Sequence, residues 1–297
     1  MKGEDEMIVS DITGGLGNQM FQYAVGYALA KKNAVSYKVD ISHLTKDYQS
    51  VSKVVVPREY QLNLFQVSAS ILPTLNIREK NMLQKALGRA YRYWKMGSLL
   101  KTKFIRDQSP WEYQSDLMQQ KGNIYLCGFW QSWKYFDSYR NDIRKEFRIR
   151  ENILSKETQK LIQNDANTVG IHIRRGDYRL CDNWLIDASF YTRALKLLKE
   201  KYGENLEILV FCDETGFAEK IFQGEKNIQY ITASKRFSDF EEFAILSACK
   251  HHIISNSTFS WWAAYLGEQQ GTEVIAPVFR QWKNEYYLDN WIKIDMN

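Results

Sequence analysis

The chain has 297 residues, 44% of them hydrophobic, which is enough to bury a large core in one or two domains and too much for extended disorder. Lys and Arg exceed Asp and Glu by 40 − 35 = 5, a surplus that suits an anionic small ligand or an acidic membrane surface and is too small to argue for nucleic acid. Four scattered cysteines without CxxC spacing, an acidic opening MKGEDEMIVS and the lack of any long apolar run argue against a disulfide frame, a zinc site, a signal peptide and a membrane-spanning helix; a cytoplasmic protein with free thiols is expected.

In chain order, Met7–Ile12 (MIVSDI) predicts a buried strand, followed by a glycine turn and an apolar-periodic helix from about Gln19 to Lys32. Ser36–Asp40 predicts the next strand, completing a strand–helix–strand unit of parallel-sheet type. Residues 42–70 read as irregular. Residues 76–100 read as a basic helix with Lys85, Arg89, Arg92 and Lys95 along it, a solvated face first and a membrane or phosphate contact second. Asn123–Cys127 (NIYLC) is a strand, and helical patterns follow over 133–165. The charged stretch Arg144–Glu151 divides the chain into domains of 1–150 and 151–297.

A second alternating series begins at the strand Thr168–Ile173. Asp187 caps a helix to Tyr202 that presents Phe190, Ala194, Leu197 and Leu198 on one face and stops at Gly203. Glu207–Cys212 and Ile228–Thr232 are strands. Ser238-Asp239-Phe240-Glu241 forms a capping box for a helix to Lys250. His251–Ser255 is a strand, Ser257–Leu266 a helix, and Glu273–Ala276 a last strand. Two such runs predict two Rossmann-like, doubly wound α/β domains, with ligands beyond the carboxyl ends of the strands. The 9 Trp, 18 Tyr and 15 Phe fit core packing first and stacking on sugars or bases second.

Four stretches carry chemistry. HIRRGDY (His172–Tyr178) runs off a strand end, with His172 and Arg174 expected on one face and Arg175 opening the loop. Paired guanidiniums suit an anionic group such as phosphate; the alternatives are a structural Arg–Asp pair or an adhesion tag in Arg175-Gly176-Asp177. SNSTFSWWAAYLG (Ser255–Gly267) places Asn256, Ser257, Thr258 and Phe259 at a helix entrance, either an anion seat or an ordinary N-cap. In GGLGNQMFQYA (Gly14–Ala24), Asn18 and Gln19 stand at a helix entrance, although neither nucleotide-binding glycine fingerprint is matched. Asp213 and Glu214 follow a strand and read either as acceptors for guanine N–H groups or, for Asp213, as a helix N-cap. No Asp-x-Asp, HExxH or GxSxG motif that would recruit a metal or a nucleophile occurs.

These stretches, together with GFWQSWKYF (Gly128–Phe136), resemble the α-1,2-fucosyltransferases of glycosyltransferase family 11 in order and spacing from about Met7 to Ala276, with residues 42–122 matching no motif. The resemblance implies a GT-B fold of two domains, the first on the acceptor side and the second binding GDP-β-L-fucose, with the donor site at the inter-domain cleft. It implies an inverting, metal-independent transfer without cofactor to the 2-hydroxyl of a terminal galactose in a cell-surface or oligosaccharide glycan. By the same resemblance Arg174 meets the β-phosphate with His172 and Arg175 beside it, Asn18 approaches the reacting centre, and Asp213 or Glu214 reads guanine. Asp177 is the carboxylate within the motif, either the base or a brace for the arginines; Asp182 and Asp187 are the other candidate bases. Trp130, Gln131 and Tyr178, with Trp184, are candidates for acceptor binding. Ala263 and Cys212 replace the glycine and serine common at those points. The implied enzyme is bacterial and cytoplasmic, peripheral at the membrane through the basic helix of 76–100.

Overall fold

The computed structural model describes residues 6–44, 58–72, 102–164, 166–180, 184–278 and 285–296. The basic helix expected over 76–100, together with Cys181 and Asp182, lies outside them. The chain divides into two compact units. The first runs up to Arg148 and takes back Glu285 and Tyr286; the second starts at Ile149.

The first unit holds the strands β1 (Met7–Asp11), β2 (Ser36–Asp40), β3 (Ser70–Ile71), β4 (Thr102–Arg106) and β5 (Asn123–Cys127), and the helices α1 (Leu16–Asn33) and α2 (Arg140–Glu146). Its sheet has the order β3-β2-β1-β5-β4, parallel throughout. β1 is buried along nearly its whole length, as a strand covered on both faces requires. α1 starts three residues before the expected point, because Gly15 takes an extended conformation while Leu16 and Gly17 already turn helically. It ends with Ala34 in the left-handed region, whose N–H returns to the carbonyls of Ala30 and Lys31. Small residues let this helix lie close on the sheet: a Cβ added to Gly26 would stand 2.2 Å from Ser10 Oγ and 2.5 Å from the Tyr37 ring.

A buried carboxylate fastens the remainder of this unit. Glu146, at the end of α2, accepts hydrogen bonds from the Tyr23 hydroxyl (2.5 Å), the Ser68 N–H (2.6 Å) and the Ser68 hydroxyl (2.7 Å). This gives order to part of the stretch read as irregular, and the chain continues from it into β3. β4 was not foreseen either; it is an edge strand with half-exposed side chains and no apolar run.

The second unit holds α3 (Lys156–Ile162), β6 (Thr168–Ile173), α4 (Ala188–Tyr202), β7 (Glu207–Cys212), α5 (Thr215–Ile221), β8 (Ile228–Tyr230), α6 (Asp239–Ala248), β9 (His251–Ile253), α7 (Thr258–Gly267), β10 (Val274–Val278) and β11 (Ile292–Asp295). Its parallel sheet has the order β11-β10-β9-β6-β7-β8, the doubly wound arrangement in which β6 is central and the connections reverse between β6 and β9. The expected capping box is present at Ser238 and Glu241, and Asp187 caps α4 through the Ser189 N–H. Phe190, Tyr191, Ala194, Leu195 and Leu198 form the buried face of α4 against Val169, Ile171 and Ile173. Leu197, expected on that face, is 42% exposed, since it falls just outside the stripe beyond Phe190. The strand expected at Glu273–Ala276 runs on to Val278, and β11 follows it as an unforeseen edge strand. Trp261 and Trp262 are core residues, and Cys127, Cys212 and Cys249 are free thiols. Among the described residues no helix is long and apolar enough to cross a membrane.

Two expectations about stability follow from this packing. Gly26→Ala should lower the melting temperature even though alanine favours helix by about 1 kcal/mol, because overpacking costs roughly 1–3 kcal/mol; a thermal melt checks the sign. Burial pushes His251 down to about 4 and His252 down to about 3, so both are neutral when folded. The unfolded chain takes up their protons near pH 6.5, so stability is complete above that pH and is lost as pH falls towards the folded values. Urea unfolding between pH 7 and 4.5 should show that loss, at up to about 1.4 kcal/mol per pH unit per histidine.

Candidate active site

In the second unit, the loops after β6 and β9 leave neighbouring strands at the point where the connections reverse, the usual ligand crevice of such a sheet. HIRRGDY and SNSTF are these two loops. They are joined by His172, whose Nδ1 lies 2.9 Å from Ser255 Oγ and whose ring packs against Phe259 at 5.5 Å. Burial, helped by the nearby Arg174 charge, pushes His172 down to about 3. It is therefore a neutral hydrogen-bonding group, and Ser255 is its partner.

The strand ends at Ile173, so Arg174 belongs to the loop and its direction is set by carboxylates. Arg174 Nε and Nη2 reach Asp177 Oδ1 at 3.0 and 2.8 Å, and Nη1 lies 3.2 Å from Asp213 Oδ2. A guanidinium carries five N–H groups in a planar fork, so donors remain on Nη1 and Nη2 for a ligand. Arg175 turns the other way. Its Nε donates to Glu214 Oε2 at 2.6 Å, and its guanidinium stacks 3.7 Å above the Phe217 ring. Arg179 pairs with the second oxygen of Glu214. These two arginines hold the Glu214 carboxyl below its ordinary range.

Asp213 is the hinge of this arrangement. Its Oδ1 accepts the Arg175 N–H (2.9 Å) and its Oδ2 accepts the Gly176 N–H (3.0 Å). A Cβ at position 176 would stand 2.8 Å from Asp213 Oδ2, so a larger residue there would push this carboxylate aside. The N-cap of α5 is Glu214, without a side-chain cap bond, so Asp213 serves the HIRRGDY loop and not the helix. Both carboxylates expected at guanine are hydrogen-bonded to that loop. Arg179, four residues after Arg175 on the turn Asp177–Leu180, was missed by the sequence reading; that spacing was its available signal.

Across the crevice, Ser257 caps α7 by accepting the Phe259 N–H at 3.3 Å, and Thr258 is the first helical residue. Asn256 donates from Nδ2 to the Trp184 carbonyl (2.9 Å), which leaves its Oδ1 as a buried acceptor without a partner among the described residues. Tyr178 bonds to the Asn256 carbonyl at 3.3 Å and meets Trp184 edge-on. Thus His172, Arg174, Asp177, Tyr178, Asp213 and the Asn256–Phe259 turn are brought together. The planar Arg174 fork and the positive end of a ten-residue helix are the kinds of group that pair with an anion.

In the first unit, two motifs far apart in sequence meet: Gln131 Nε2 donates to Asn18 Oδ1 at 2.9 Å. Gln19, by contrast, is fully buried; it bridges the carbonyls of Gly14 and Glu59 and accepts the Gln61 N–H. Trp130 is 1% exposed and packs edge-on against Tyr135, which removes its ring from any exposed sugar-stacking surface. Asp187 is occupied as the N-cap of α4. No group of three or more His, Cys, Asp or Glu residues among the described ones has a metal-holding arrangement.

The profile of glycosyl transferase family 11 matches residues 3–295. The chain is 30% identical to the O-antigen biosynthesis glycosyltransferase WbnK of Escherichia coli, covering 96% of this chain and 99% of that one. It is 31% identical to an Escherichia coli alpha-1,2-colitosyltransferase, over 91% of each chain. Similarity to galactoside alpha-(1,2)-fucosyltransferase 2 of Pongo pygmaeus is 24% over 85% of this chain and 67% of the other. The GDP complex of an Arabidopsis thaliana FUT1 mutant shares the fold, with TM-score 0.54 and 14% identity over 93% of this chain and 71% of that one. A family profile that spans nearly the whole chain, two parallel-sheet units and an arginine-lined switch point agree: the chain belongs to glycosyl transferase family 11 and has the two-domain GT-B fold.

Proposed function

We propose that the chain is an inverting galactoside α-1,2-fucosyltransferase. It moves L-fucose from GDP-β-L-fucose to the 2-hydroxyl of a terminal galactose in a cell-surface or oligosaccharide glycan. The observation that carries this reading is the Arg174 guanidinium, held at the β6 end by Asp177 and Asp213 with donors left over for a phosphate.

Transfer breaks the bond between the anomeric carbon and the diphosphate, so negative charge builds on the leaving phosphate while the sugar becomes oxocarbenium-like. A guanidinium already oriented by two carboxylates, beside the N-terminus of α7, stabilises that charge without reorganising. Arg174, Arg175 and Arg179 face Asp177, Asp213 and Glu214 in equal number, which favours fixed direction over net positive charge. Neutral His172 holds the two loops in register. In the proposed reaction the oriented Arg174 fork and the helix end act in place of a divalent cation, which makes it metal-independent. Asp177 acts in it as the brace of Arg174, and Asn256 Oδ1 offers an acceptor to a hydroxyl or N–H of the donor. The proposed cytoplasmic location rests on the scattered, unpaired cysteine pattern, and its membrane-peripheral character on the basic stretch 76–100.

The relationship to the colitosyltransferase favours one alternative donor. Colitose is fucose without its 3-hydroxyl, so one hydrogen bond to that hydroxyl is the difference a site would read. The test supplies GDP-fucose and GDP-colitose with a panel of galactosides in EDTA, and assigns the linkage of the product by NMR. The expected result is α-1,2-fucosylated galactoside with EDTA present. Preference for GDP-colitose would move the donor to the second reading, another linkage would reject the acceptor position, and GDP binding without turnover would leave a binding module.

In the same assay Arg174→Ala should lose about 10²–10³-fold in kcat. Asp177→Asn should lose only about tenfold, with GDP affinity falling in parallel, since it weakens a brace. A loss near 10⁴-fold at unchanged GDP affinity would instead make Asp177 the base.

A further inference from the structure

β4 and β5 are parallel neighbours, so the chain between them, residues 107–122, must travel back across one face of the first sheet. Such a crossover is usually an α-helix; here it holds only the five-residue 3-10 turn Ser115–Gln119. A short turn covers less of a sheet than a helix does. Between β4 and this crossover a cavity of about 360 Å³ remains, near the lower end of the roughly 300–1,000 Å³ of small-molecule sites.

The wall of the cavity is polar, which sets it apart from most small-molecule sites and disfavours an apolar ligand. Gln108, Gln114 and Gln120 supply amides, and Arg106 and Asp116 supply one charge of each sign. Tyr113 adds a ring packed 4.9 Å from that of Tyr135. Gln114 Nε2 is buried with no hydrogen-bond partner among the described residues. No carboxylate among those residues pairs with Arg106. A buried donor left unmet is unfavourable, so this amide calls for a ligand or a water.

The wall is held in place through its backbone. The Gln114 N–H donates to the Tyr135 hydroxyl and the Tyr113 N–H to Glu285 Oε2, both at 2.8 Å, which leaves the two side chains to the cavity. The same loop is tied to the candidate acceptor residues of this unit. The Gln131 N–H donates to the Pro110 carbonyl at 2.6 Å, and Asp107 accepts the Phe129 N–H at 2.7 Å.

Saccharide hydroxyls both donate and accept, as amides do, and the C–H face of a pyranose suits an aromatic ring. One charge of each sign leaves the wall without net charge, which favours a neutral sugar over an acidic one. We propose that this cavity is a subsite for one neutral pyranose residue of a glycan, other than the residue that receives fucose. Its place in an acceptor rests on the transferase reading above; its affinity for a neutral saccharide does not. The competing account is that water alone fills the cavity.

Ligand-observed NMR titrations of the full chain separate the two. The probes are lactose, a neutral tetrasaccharide ending in galactose, and the same tetrasaccharide with a uronic acid in place of one hexose. The neutral tetrasaccharide is expected to bind about tenfold or more tighter than lactose, the worth of one or two well-formed hydrogen bonds. Arg106→Ala and Gln114→Leu should each bring that ratio to within about threefold. Both variants should keep the wild-type melting temperature, and Gln114→Leu should hold or raise it, because it removes an unmet buried donor. Equal binding of lactose and tetrasaccharide overturns the proposal, as does a preference that survives both substitutions. Stronger binding of the acidic tetrasaccharide, or a loss that in both variants comes with a lowered melting temperature, overturns it as well. Transfer from GDP-fucose is assayed separately. A chain that binds the tetrasaccharide in this way and transfers no sugar rejects the transferase reading and keeps the subsite.

Discussion

The donor-side geometry depends on one carboxylate. Asp213, just past the end of β7, accepts two consecutive backbone N–H groups from the loop after the neighbouring strand and touches the Arg174 guanidinium as well. A parallel sheet leaves such loops without the hydrogen bonds of a hairpin, so a strand-end acceptor must hold them. Charge-assisted bonds of this kind contribute roughly 1.5–3 kcal/mol where shielded and less where exposed. Their larger effect here is direction. With the backbone at 175–176 held, Arg174 turns towards Asp177 and Arg175 towards Glu214 and Phe217, and the two guanidiniums stop being interchangeable.

The first unit uses the same device in different surroundings. Asp40 and Glu146 are buried carboxylates whose partners are N–H and O–H groups of the protein, so they fasten strand to strand and helix to loop. Buried acceptors satisfied in this way specify one packing and offer nothing to a ligand. Asp11 differs because its partner, at 2.6 Å, is the partly exposed His43 ring, which has a second nitrogen.

Much of the fold was legible because it is local. Ser36–Asp40, Asn123–Cys127, Thr168–Ile173 and Glu207–Cys212 are strands with the bounds their apolar runs predict, and the Ser238 capping box opens its helix as its spacing requires. The edge strands β4 and β11 escaped, since a half-exposed strand of four or five residues carries no apolar run. At the sites, motif membership marked residues without separating their roles. Gln19 and Asn18 are adjacent in one motif, yet the first is consumed inside the unit while the second meets Gln131. Trp130 stands in another motif and is buried. His43, which lies in no motif, meets Asp11 from 32 residues away.

The sequence by itself determined the alternation of strands and helices, their caps, the pairing of two arginines at a strand end and the kinship to a transferase family, because periodicity, turn chemistry and residue type act over a few neighbours. Tertiary structure decided the strand order, and with it which loops share a reversal point and which carboxylate meets which cation. Those contacts join residues tens of positions apart. They depend on how the crossover helices pack the sheet, which no local pattern encodes.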